Sequence, residues 1–136
     1  MNVLIDTDVL IDFLTDREPF TVNAKEVIRK VRENIITAYL APHSITNIFF
    51  ILRKLYSATE RRQSLIDLCR SVTVAEVKAG TIFNTLENMA IDDIEDGLQA
   101  ECAISINADY IVTRNIRDYA KSKVPAILPE ELLKKI

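Results

Sequence analysis

Five short apolar runs, NVLID, IITAYLA, SVTVAEV, DYIVTRN and PAIL, punctuate this chain, and between them lie segments of helical period. In EPFTVNAKEVIRKVREN, for example, Phe20, Ala24, Val27, Ile28 and Val31 recur at the spacing of one helix face. PHSITNIFFILRKLYS carries Pro42 at a favourable first helical position, and TERRQSLIDLCR, AGTIFNTLENMA, DDIEDGLQAECAISIN and PEELLKKI follow the same period. Strands that alternate with helices build a mostly parallel sheet of four to five strands, covered on both faces. Ligands of such folds sit beyond the carboxyl ends of the strands.

The size of 136 residues fits a single domain, residues 1–136, with a real core. Hydrophobic residues at 49% and charged residues at 27% are globular proportions that exclude a disordered chain. No apolar run is long enough to span a membrane, and MNVLIDTD has acids where a signal peptide would be basic. Cys69 and Cys102 both lie in apolar helical patterns, which reads as buried free thiols in a reducing, cytoplasmic compartment. A single histidine, His43, excludes multi-histidine metal sites and argues against zinc. With two glycines in the chain there is no Gly-rich phosphate loop. The formal charge of −3 means that nucleic-acid binding would need a local basic patch.

The first strand runs straight into Asp6, Asp8 and Asp12, and buried carboxylates need a partner. Asp6 falls at the carboxyl end of the first strand and TRNIRD at that of the fourth, while IDDIED opens the helix just before the fourth strand. Asp6, Asp96 and Asp118 are thereby candidates for one cluster. Two carboxylates about 5 Å apart repel by roughly 3 kcal/mol at an effective dielectric of 20. Three at one site call for a proton, an arginine or a metal ion, and all-oxygen ligands favour Mg²⁺ or Mn²⁺. Arg114, Arg117, Lys121 and Lys123 lie along the same edge, where Arg114 and Arg117 are candidate contacts for a phosphate backbone.

Plainer readings compete at several positions. Asp93 fits a helix N-cap with Asp96 at N3, which would explain that pair by folding alone. Asp8 reads as a cap, Asp12 and Asp16 as solvated polar positions, and Asp109 as a turn residue. Arg29, Lys30 and Arg32 read as a solvated helix face, and Tyr56, Tyr110 and Tyr119 as packing rather than a base-stacking platform. The start DTDVL is similar to that of haloacid-dehalogenase-type phosphatases. Lys78 and Asp92–Asp93 fail as its further residues, because FNTLENMA before the pair is helical. NIFFILRKLY is apolar all round from Ile48 to Leu52, which hints at a protein interface, although core burial accounts for most of it.

VLIDTDVLIDFL, HSITNIFFILRK, DDIEDGLQAECAISINADYIVTRNIRDY and VPAILPEELL resemble, in this order and over essentially the whole chain, the PIN-domain family. The resemblance is closer still to the VapC-like toxin ribonucleases of bacterial and archaeal toxin–antitoxin pairs. It implies a three-layer α/β/α sandwich that cuts RNA with Mg²⁺ or Mn²⁺ held by a small acidic cluster. RNA, a small antitoxin and a second copy of the chain are the implied partners. Asp6 matches the first acid of the pattern and Asp96 the acid of the late helix. The second acid, usually a Glu, falls on Asn47. The fourth falls on Asn115, with Asp118 three residues on as a replacement. Thr7 and Thr113 match small polar residues flanking the site. The resemblance thus gives Asp6, Asp96 and Asp118 as metal ligands, with Asn47 assisting. An amide oxygen can accept a hydrogen bond from metal-bound water but brings no charge, so Asn47 and Asn115 imply weaker metal binding. The alternative is a weakened PIN domain that binds RNA or protein without cutting.

Overall fold

The computed structural model describes residues 1–136. Strands β1 (Asn2–Ile5), β2 (Thr37–Leu40), β3 (Thr73–Val74), β4 (Tyr110–Val112) and β5 (Ala126–Ile127) form one sheet in the order β3-β2-β1-β4-β5. Every pairing is parallel, so the sheet is wholly rather than mostly parallel. The helices are α1 (Thr7–Leu14), α2 (Thr21–Arg32), α3 (Pro42–Ile51), α4 (Ala58–Cys69), α5 (Ala79–Glu87), α6 (Ile94–Ser105) and α7 (Pro129–Lys135).

Strand parity assigns the layers. Val3 and Ile5 face one side with Ala38, Leu40, Val112 and Ile127, where residues of α1, α2, α4 and α7 cover them. Leu4 and Ile111 face the other side, under Ala100, Cys102 and Ala103 of α6. Helix α5 packs on α6. Both faces of β1 are therefore buried, which is why its sequence is apolar without alternation. Each fully buried Val, Leu or Ile there contributes roughly 1.5–3 kcal/mol.

Two elements are shorter than their sequence patterns predict. The third strand is only Thr73–Val74, both exposed, because it is the sheet edge and has one neighbour. Helix α3 stops at Ile51 and tightens into a 3₁₀ turn, Leu52–Lys54. Both thiols are free, Cys69 half-buried and Cys102 buried, and burial pushes the Cys102 thiol up to about 11. No helix is long and apolar enough to cross a membrane.

The strand order reverses at β1, with β2 and β3 on one side and β4 and β5 on the other. A crevice opens at such a reversal, beyond the strands' carboxyl ends. Asp6 and Thr113, the residues that follow β1 and β4, stand at that crevice.

Candidate metal centre

Asp6 ends β1 and caps α1 at once. Its backbone is extended, its N–H donates to Val112 O (2.9 Å), and its Oδ1 accepts from Thr7 N (2.7 Å). Its Oδ2 accepts from Thr113 Oγ1 (2.9 Å) and from the Tyr119 hydroxyl (3.0 Å). All three donors are neutral. Burial is the largest influence on this carboxyl and pushes its pKa up, the hydrogen bonds pulling the other way.

The Tyr119 hydroxyl, with a single proton to share, also reaches Asp96 Oδ1 as its longer partner, at 3.4 Å, and so stands between the two acids. Asp96 stands in the first turn of α6, where its backbone N–H donates to the N-cap Asp93 (3.0 Å), as the capping pattern predicts. Desolvation first, then the charges of Asp93 and Asp118, raise the Asp96 carboxyl to about 6. The capping and cluster readings of Asp96 are thus compatible, because one uses its backbone and the other its carboxylate.

Asp6, Thr7, Asp8, Asn47, Asp96, Gln99 and Asn115 line an open cavity of about 390 Å³, together with His43, Phe50, Ile51 and Glu95. His43 Nε2 lies 3.2 Å from Glu95 O and ties the start of α3 to that of α6, and burial lowers its pKa. Thr7 Oγ1 and Ser44 Oγ are 2.8 Å apart, and the Gln99 amide donates to Ser44 Oγ at 2.9 Å. Gln99 Oε1 is buried with no partner. The sequence patterns gave no signal for Ser44 or Gln99, whose partners lie 37 and 55 residues away.

Asp118 is exposed and lies to one side. It faces a neighbouring cavity of about 310 Å³ with Asp92, Asp93, Arg117 and Lys121, and Asp96 borders both cavities. The structure therefore links Asp6 to Asp96 through the Tyr119 hydroxyl, and brings Asp118 near Asp96 alone. No three acidic, His or Cys side chains close into a ligand set. The groups around the first cavity nevertheless suit a hard divalent cation: apart from the His43 ring, whose Nε2 is engaged with Glu95 O, the donors available are carboxylate, hydroxyl and amide oxygens, no Lys or Arg lines the wall, and the buried Gln99 amide oxygen is unpartnered. Mg²⁺ is commonly held by one or two carboxylates with water completing its shell.

Four expectations need correction. Asp8 is not the cap, since Asp6 is. The Asp8 carboxylate instead accepts from Arg114 N (2.9 Å), Asn115 Nδ2 (3.3 Å) and Thr113 Oγ1 (3.4 Å), fastening α1 to the loop after β4. Burial and the Asp6 charge raise it to about 6. Asp12 is not solvated. It is 1% exposed and takes Arg114 Nε at 2.6 Å and Nη2 at 3.2 Å. Arg114 is consequently committed to an internal ion pair, with its guanidinium 3.9 Å from the Phe20 ring centroid, whereas Arg117 is exposed. Tyr119 packs in the core as expected, but its hydroxyl belongs to the acidic site.

The plainer readings hold elsewhere. Asp109 accepts from Asn2 N just before β4, and Arg29 and Lys30 pair with Glu26 and Glu33 on an exposed helix face. Lys78 stands just before α5, at the N-cap position and without a side-chain cap bond, and lines a different cavity from Asp92 and Asp93, so the phosphatase geometry is absent.

A family model described as the PIN domain matches residues 2–117. The chain belongs to the PIN-domain family. Solved structures with this PIN fold include a VapBC2 complex from Rickettsia felis bound to promoter DNA, at 15% identity and a TM-score of 0.65, covering 93% of this chain and 96% of that one. VapBC-1 from nontypeable Haemophilus influenzae matches at 13% identity and a TM-score of 0.68, covering 96% and 99%. VapC20 from Mycobacterium tuberculosis, described as a toxin that cleaves the sarcin–ricin loop, matches at 11% identity and a TM-score of 0.69, covering 92% and 98%. No curated protein matches this PIN domain in sequence.

Proposed function

We propose that this PIN domain, working as a single unit over residues 1–136, is a toxin-type endoribonuclease that depends on Mg²⁺ or Mn²⁺ and is restrained by a small antitoxin. The observation that carries the reading is the Asp6–Asp96 pair, bridged by one hydroxyl at an open cavity and given no cationic partner. A bound divalent cation supplies a more acidic water and positive charge opposite the attacked phosphate. Asp6, fixed by three donors, and Asp96, on the cavity wall, would hold that cation. Asn47 and Asn115, on the wall of the cavity, would orient water there by hydrogen bonding, and Asp118 would add negative charge behind Asp96. Thr113 fixes Asp6, and Thr7 belongs to the Ser44–Gln99 network beside it. Arg117, exposed beside the second cavity, receives the RNA backbone in preference to Arg114, which Asp12 already holds.

Partner surfaces fit the same reading. Ile45, Phe49, Leu65 and Ile66 line an apolar groove between α3 and α4, and Phe50, Ile51 and Leu55 are exposed at the end of α3. Apolar surface of this kind suits an antitoxin segment or a second copy of the chain. The solved neighbours from R. felis and H. influenzae are VapBC complexes, and the M. tuberculosis neighbour is described as an RNA-cleaving toxin.

The test is cleavage of pooled RNA with and without Mn²⁺ by the wild type and Asp96→Asn. Cleavage should require the metal and fall at least about a hundredfold in the variant, the scale of removing a few kcal/mol of transition-state stabilisation. A second reading, a PIN domain that binds RNA without cutting it, is favoured by Asn47 and by Asn115, whose amide is turned onto Asp8. Salt-sensitive RNA binding without metal-dependent cleavage would select it.

A further inference from the structure

Tyr119 is 2% exposed, its ring packed among Leu4, Ala41, Ala100, Ala103 and Ile111. Its hydroxyl alone leaves that apolar layer, at the point where Asp6 and Asp96 meet. Of the four tyrosines, only this one donates its hydroxyl to a side chain. The two acids depend on it unequally. Asp6 is also fastened by Thr7 N and Thr113 Oγ1, whereas the Asp96 carboxylate accepts no other hydrogen bond. Asp96 is half-buried and free to turn towards solvent, and the Asp6 charge opposes its approach.

We propose that Tyr119 is a positioning residue: its hydroxyl holds the Asp96 carboxylate towards Asp6 in the arrangement that receives a divalent cation. The inference rests on the reading of Asp6 and Asp96 as metal ligands. Its physical basis is that hydrogen bonds to a ligating carboxylate fix its orientation before the metal arrives, so less order has to be created on binding. The ring is anchored by packing and the hydroxyl is its single polar atom, so Tyr119→Phe removes the orienting bond and leaves the core filled.

The experiment is calorimetric titration of the wild type and Tyr119→Phe with Mn²⁺, alongside metal-free melting curves and near-ultraviolet difference spectra on adding Mg²⁺. Affinity should fall about tenfold in the variant, the lower end of the cost of losing such an orienting partner. The metal-free melting temperature should change little. The chain has four tyrosines and no tryptophan, and its phenylalanines absorb at shorter wavelength, so the long-wavelength part of the wild-type difference spectrum reads tyrosine alone. It should vanish in Tyr119→Phe and persist in Tyr110→Phe. Equal or tighter Mn²⁺ binding by Tyr119→Phe, with the wild type binding normally, overturns this inference alone. A wild type that binds no divalent cation overturns the metal reading as well. Should Tyr119→Phe not fold, a wild-type protein that binds Mg²⁺ with no tyrosine perturbation overturns the positioning role.

Discussion

Asp6 and Asp12 lie six residues apart and are buried to nearly the same degree, at 7% and 1% exposure, yet their surroundings differ in kind. Asp12 meets Arg114 through two nitrogens and the pair is closed. Asp6 meets a backbone amide and two hydroxyls, all neutral, and opens onto a cavity with a second acid beside it. A buried carboxylate with an internal cation has its charge balanced by the fold, whereas one given only neutral donors keeps a charge that something else can meet. Burial alone therefore separates no functional acid from a structural one; the sign of the neighbours does.

The largest expected effect is on stability at the closed pair. Asp12→Asn leaves Arg114 without its partner in a mostly buried position and should cost about 3 kcal/mol in urea unfolding. Asp6→Asn should cost far less or even stabilise, since it removes a desolvated charge, while abolishing Mn²⁺ binding. Equal destabilisation by both variants would remove the distinction between the two acids.

Acid titration probes the open side. Asp8 and Asp96 have carboxyls raised to about 6, and Asp6 is raised as well. Between about pH 4, the ordinary carboxylate value, and about pH 6 the folded chain thus holds more protons than the unfolded one at these groups. Their contribution to stability falls as pH rises through that window and is restored as it drops. Metal-free protein should accordingly melt higher at pH 5 than at pH 7.5, and Mg²⁺ should raise the melting temperature more at pH 7.5 than at pH 5. A melting temperature that climbs steadily from pH 5 to 7.5 without metal would contradict the open-site description.

The smallest effect separates the two arginines. Arg117→Ala should reduce the salt dependence of RNA binding by about one charge unit, without altering base preference or melting. Arg114→Ala should lower the melting temperature through Asp12 and leave the salt slope unchanged. Binding isotherms at several salt concentrations, taken without divalent metal, decide between them.

The fold was legible because β1 and the other buried strands are short and apolar while the helices keep their period, so local pattern and global layer agree. Asp6 was legible for the same reason: a carboxylate directly after a buried strand has one place to stand. Asp8 and Asp12 were misread because α1 looks amphipathic by itself, and their partners, Arg114 and its neighbours, are more than a hundred residues further on. Local periodicity carries no information about such a pairing. Tyr119 was half legible: a scattered tyrosine reads as packing, but nothing adjacent in sequence says where its hydroxyl emerges.

The loop after β4 ties itself to the first dozen residues of the chain: Thr113 to Asp6, Arg114 to Asp8 and Asp12, Asn115 to Asp8, with Tyr119 closing on Asp6 across 113 positions. The central strand β1 thus waits for a neighbour, β4, that lies more than a hundred residues further along the chain. Until that loop closes, Asp6 lacks the Thr113 and Tyr119 hydroxyls and β1 lacks β4 at its side. Closing so long a loop is also a slow event in folding. Asp6 and Asp96 therefore gain the hydroxyl they share in the same long-range closure that sets β4 beside β1.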